Sequence, residues 1–155
     1  MSESNIIHIT ITNEYRNLVN KTRLKKTVKS VLTYFKKNSF ELTVSIVNNK
    51  KIRELNNKFR SNDSETDVLS FSANEIDPET SRIYIGDILV SYPLAKKQSE
   101  EMNHQITEEL DLLTIHGVLH LLGYDHASKD DEEQMFSVQS KLLQFINNPS
   151  MNTTN

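Results

Sequence analysis

The chain has 155 residues, 36% of them hydrophobic and 25% charged, and a net charge of −3. That balance is ordinary for a soluble globular protein with room for one sizeable core. It has no cysteine and no apolar run of membrane-spanning length, which excludes disulfides, thiolate metal sites and a spanning helix. The charge is unevenly spread: residues 1–61 hold 13 Lys or Arg against 4 Asp or Glu, and residues 62–155 hold 5 against 17. A polyanion would favour the first part, unless the two signs neutralise each other in the fold. Met1-Ser2-Glu3-Ser4-Asn5 lacks the basic start and apolar run of a signal peptide, so a cytoplasmic location is expected.

Ile7, Ile9 and Ile11 alternate with His8, Thr10 and Thr12, the period of a half-buried strand. A basic helix is predicted from about Thr22 to Lys37, with Leu24, Val28, Val31, Leu32 and Phe35 on one face and lysines opposite. Asn38-Ser39 breaks it, and Phe40 to Val47 reads as a second strand. Asn48-Asn49 leads into a short helix whose apolar side is Ile52, Leu55 and Phe59. Arg60 to Thr66 is polar loop. Asp67–Ser72 and Ile83–Ser91 read as strands, with Ala73–Arg82 as a linker between them. Three helices follow: from Pro93 to about Asn103, from about Thr107 to Leu122, and from about Lys129 to Asn147. The acidic Asp130–Glu133 suits the positive end of the last helix. The pattern predicts an α+β fold, one domain over residues 1–148, with a mixed four-stranded sheet and about five helices. Residues 149–155 read as a flexible tail.

The most informative segment is His116-Gly117-Val118-Leu119-His120-Leu121-Leu122-Gly123-Tyr124-Asp125-His126, which holds three of the five histidines. On a helix His116 and His120 share one face. Gly123 can take the left-handed conformation that ends a helix, letting His126 turn back to the same ion. Three neutral imidazoles leave a fourth position open, the plan of a catalytic zinc site. The spacing matches the H-E-x-x-H-x-x-G-x-x-H of metzincin proteases, except that Gly117 stands where those enzymes carry their general base.

This run resembles the YbeY family of bacterial endoribonucleases. Leu55-Asn56 through Phe59-Arg60, Thr66-Asp67-Val68-Leu69-Ser70-Phe71, and Gly86-Asp87-Ile88 also match that family, in order. Together these motifs span roughly residues 50 to 130. The resemblance implies a single-strand-specific, zinc-dependent endoribonuclease. Such proteins act in 3′-end maturation of small-subunit (16S) rRNA and in ribosome quality control. It implies RNA and the ribosome, or small-subunit proteins, as partners. His116, His120 and His126 would be the zinc ligands and Arg60 the functional arginine. The family's ending after the phenylalanine is replaced by Ser72.

Zinc held by imidazoles lowers the pKa of water to about 7, but other divalent transition metals suit the same ligands. Cleavage of a phosphodiester needs a further cation, and the planar fork of Arg60 can engage two phosphate oxygens. Its other reading is a surface arginine at a helix end. Asp67 could orient Arg60 or a histidine, or simply start a strand. Asp87 calls for a partner, a bulge or a structural hydrogen bond. Asp125 is either beside the metal or in an exposed turn, and His8 and His104 are not assigned to the metal. Phe35, Phe59 and Phe71 fit core positions, leaving few rings for stacking on bases. Two other functions share these residues: a metzincin-like metalloprotease with a base from elsewhere, such as Glu108 or Glu109, and a non-catalytic RNA- or ribosome-binding module stabilised by zinc.

Overall fold

The isoleucine alternation near the N-terminus does form a strand, β1 (Ile6–Ile11), which buries Ile7 and Ile9. Our computed structural model describes residues 4–60, 66–124 and 128–147. The further elements are α1 (Lys21–Tyr34), β2 (Phe40–Val47), α2 (Asn49–Arg60), β3 (Val68–Ile76), β4 (Ile83–Ser91), α3 (Tyr92–Glu101), α4 (Ile106–Leu121) and α5 (Lys129–Asn147). A single 3-10 turn, Asn13–Tyr15, has no counterpart in the sequence pattern. The four strands form one sheet in the order β1-β2-β4-β3. β1, β2 and β4 run parallel, and β3 pairs antiparallel with β4 as an edge strand. The sheet is therefore mixed and the fold is α+β, as predicted.

The larger face of the sheet carries the main core. Leu42, Val44, Ile46, Ile88 and Val90 from the strands meet Leu24, Val28, Val31 and Leu32 of α1 and Ile115, Val118 and Leu119 of α4. Met135 and Leu142 of α5 join the same cluster. Full burial of each large apolar side chain contributes about 1.5–3 kcal/mol before entropy is counted. On the other face α2 covers the β3–β4 side and the end of β2, with Ile52 packed among Val47, Leu69 and Leu89. The β1–β2 side of that face is polar. There Thr10 Oγ1 donates to Ser45 Oγ at 2.7 Å, and His8 Nε2 lies 2.6 Å from Glu41 Oε2.

Two boundaries differ from the sequence reading by more than two residues. α1 ends at Tyr34, three residues before the predicted Lys37. Lys36 takes a left-handed conformation (φ 57), and Lys36 and Lys37 donate back to Thr33 and Leu32. This is the six-to-one helix stop usually built on glycine. β3 runs four residues beyond Ser72, so part of the predicted linker Ala73–Arg82 is strand. A register shift between Ser72 and Glu75 lets the polar segment resume pairing with β4. Asp77 and Arg82 then close the hairpin.

Candidate metal centre

Helix α4 is held at three points along its length. Near its start the buried Glu109 carboxylate meets His104 Nε2 at 2.7 Å. His104 thus belongs to the α3–α4 junction. Next, Asp111 accepts from Arg23 Nε (2.9 Å) and from Thr27 Oγ1 (3.2 Å), tying α4 to α1. Burial pushes the Asp111 carboxyl up, against the opposing pull of the Arg23 guanidinium. At the third point Gly117 lies against the central strand β4. A Cβ there would sit 2.6 Å from Ile88 Cγ2. Ser70 Oγ of β3 donates to the Gly117 carbonyl at 3.2 Å.

These contacts fix the rotation of α4 and present His116 and His120 together, both half-buried. Their Nε2 atoms are 3.1 Å apart, and the rings meet edge to face with centroids at 4.7 Å. Two nitrogens on adjacent vertices of a tetrahedral zinc site, each about 2.0–2.1 Å from the metal, would be about 3.3 Å apart. The pair therefore fits two ligand positions of one ion. After them the helix stops as the sequence requires. Gly123 has φ +102, and Gly123 and Tyr124 donate to the carbonyls of His120 and Leu119, each at 3.0 Å. Among the described residues a Cβ at Gly123 would meet nothing within 4 Å, so the backbone angle is what calls for glycine.

His126 and Asp125 lie outside the described residues. Among the described residues no three His, Asp or Glu side chains surround one point. Arg60 is the last residue of α2, and its side chain also lies outside what is described.

Beside His116 is a cleft of about 210 Å³ lined also by Glu132, Met135 and Phe136 of α5. Sequence reasoning missed these α5 residues. Their one signal is the i, i+4 spacing of Glu132 and Phe136, which puts them on one helix face but says nothing of what that face meets. Asp67 and Asp87 do not join the centre. Asp67 Oδ2 accepts from Gln98 Nε2 of α3 at 3.1 Å. Asp87 Oδ1 accepts from Tyr84 Oη at 2.7 Å, and Tyr84 Oη lies 2.7 Å from Thr43 Oγ1. Burial and the Asp87 contacts push the Tyr84 hydroxyl up to about 12, with Thr43 opposing. β2 shifts register against β4 at Glu41/Leu42, opposite Tyr84 and Gly86. Both a bulge and a structural hydrogen bond therefore account for Asp87.

Phe59 departs from its predicted core position. It is 60% exposed at the end of α2, touching Phe71 only edge-on.

With this geometry in place, comparison with known proteins is decisive. The sequence profile of the family Endoribonuclease YbeY matches residues 8–147. The chain belongs to the YbeY endoribonuclease family. A Brevibacillus brevis protein named Endoribonuclease YbeY is 44% identical over 118 residues, covering 68% of this chain and 74% of its own length. A Bacillus thuringiensis protein of the same name is 42% identical over 111 residues, covering 67% and 71%. Among solved structures, the solution structure of a Thermotoga maritima protein superposes with a TM-score of 0.63 at 30% identity, over 91% of this chain and 89% of the other. As a YbeY endoribonuclease the chain is a hydrolase acting on RNA. Among the described residues no helix is long and apolar enough to cross a membrane.

Proposed function

We propose that this YbeY protein is a zinc-dependent, single-strand-specific endoribonuclease of 16S rRNA 3′-end maturation and ribosome quality control, working in the cytoplasm beside the small ribosomal subunit. The observation that carries the metal assignment is the 3.1 Å approach of the His116 and His120 Nε2 atoms, with the helix stopped at Gly123 three residues before His126 in the sequence. These three histidines would hold one Zn²⁺ or a related divalent ion. When bound, such an ion supplies Lewis acidity at neutral pH, acidifying water and drawing charge from a phosphoryl oxygen.

The chain's own residues do the rest. The Ser70 and Ile88 contacts keep α4 from rotating, which holds both imidazoles in one direction. Arg60 supplies a fixed positive charge for phosphate oxygens whose charge grows as the bond breaks. Position 117 has no space for the glutamate of a metzincin protease, because any side chain there strikes Ile88. Among the described residues, the carboxylate that shares the cleft with His116 is Glu132, on a different helix.

The reading is tested with labelled single-stranded and duplex RNAs of one sequence and an Arg60→Ala variant. Internal cuts in the single strand, a spared duplex, and a large loss of cleavage rate with RNA affinity kept in the variant are expected. Equal cutting of both RNAs would remove the single-strand preference. An unchanged rate in Arg60→Ala would remove Arg60 from the reaction.

A further inference from the structure

Phe59 is the feature the cleavage reading leaves unused. Its ring is 60% exposed in the last turn of a helix. The ring is not loose: it rests edge-on against Phe71 of β3, with centroids 5.5 Å apart and planes at 65°. That contact orients the ring. Lys58 Nζ lies over one face of the ring, 5.2 Å from its centroid, a contact that a base stacking there would displace or share. Lys50, Lys51 and Arg53 are exposed on the same helix, against a single acidic residue, Glu54.

A fixed, exposed aromatic on a basic helix has the two components that hold single-stranded nucleic acid: a π-face for a base and cations for the phosphates beside it. Phe136 is also exposed, at 52%, but it lines the cleft beside His116 and so belongs to the site already described. The position of Phe59 relative to the histidines is equally telling. Its support, Phe71, is the neighbour in β3 of Ser70, whose hydroxyl holds the Gly117 carbonyl next to His116. Adjacent strand residues point to opposite faces, so the ring and the histidine pair flank the same edge strand.

We propose that Phe59 is a base-stacking platform that binds one unpaired base of the RNA away from the cleavage point, with the cations of α2 holding the adjoining phosphates. This rests on the reading of the chain as an RNA-cleaving enzyme and adds a substrate subsite to it.

The chain contains no tryptophan, so Phe59→Trp places a single fluorescent reporter at the site. The probe is a short single-stranded RNA, compared with the same ribose-phosphate chain lacking bases, both titrated in the presence of chelator so that binding is read without turnover. Quenching of the indole fluorescence in the Phe59→Trp variant by the base-bearing RNA alone is expected. Phe59→Ala and Phe59→Leu should each bind that RNA about 5- to 150-fold more weakly, the range for losing one stacked base. Leucine keeps apolar bulk against Phe71 but has no π-face, so it separates stacking from support of β3. Unchanged affinity in both variants, or equal quenching by the baseless chain, would overturn the platform while leaving an RNA-binding enzyme in place. Failure of the wild type to bind any RNA, with chelator and again with zinc restored, would overturn the platform and the RNA-cleaving reading together.

Discussion

Gly117 shows at the level of one residue why the metzincin glutamate has no place in this motif. In the sequence the glycine registers only as a missing glutamate. In the fold it is the point where α4 meets the sheet, 2.6 Å from Ile88 by the position of an added Cβ. Gly117→Ala gains helix propensity of about 1 kcal/mol but must displace a β-branched side chain in the core, at about 1–3 kcal/mol. Chemical denaturation should show a net loss of about 1 kcal/mol; a net gain would mean α4 is not seated on Ile88. Tyr84 gives a second residue-scale expectation. Its folded-state hydroxyl is raised to about 12 from 10.0, so its neutral form is the one the fold prefers. The stability it contributes is complete below about pH 10 and is lost as pH rises toward about 12. Stability measured across that window should fall more steeply for the wild type than for Tyr84→Phe, and parallel slopes would contradict the assignment.

Elements defined by their own residues were legible in the sequence, and those defined by distant partners were not. α5 has the predicted bounds, Lys129–Asn147, and α4 is displaced by one residue at each end. The stop at Gly123 was readable because only its own φ matters. Ala73–Ile76 looked like linker because it is polar, and only its pairing with β4 makes it strand. Phe59 continues the apolar stripe of α2, yet the small core under that helix reaches Ile52 and Leu55 and leaves the ring exposed. Periodicity reports a face but not how far the partner surface extends. The junction of α1 and α4 yields an unequal pair of mutations. Asp111 is buried, whereas the Arg23 side chain is 41% exposed. Removing Arg23 leaves a carboxylate in the core without its cation; converting Asp111 to Asn leaves an arginine that water can solvate. Thermal melts at neutral pH should show Arg23→Ala costing more than Asp111→Asn, by about 1 kcal/mol or more. The reverse order would mean that the pair does not secure the helix.

At the scale of the whole molecule, the fold places a histidine pair and a basic, ring-bearing helix on either side of the edge strand β3. The charge split along the sequence was readable, but its two basic helices, α1 and α2, cover opposite faces of the sheet. The histidine spacing was readable too, while the α5 side of the cleft was not, because no local pattern reports which helices meet. The central claim is that His116 and His120 hold the metal that RNA cleavage requires. It is tested most directly by following cleavage of a labelled single-stranded RNA by highly purified protein, with chelator and with zinc restored, beside a folded His116→Ala/His120→Ala variant. Cleavage that stops with chelator, returns with zinc and is absent from the variant is the expected result. Undiminished cleavage by the variant, or none by the zinc-loaded wild type, would contradict the account.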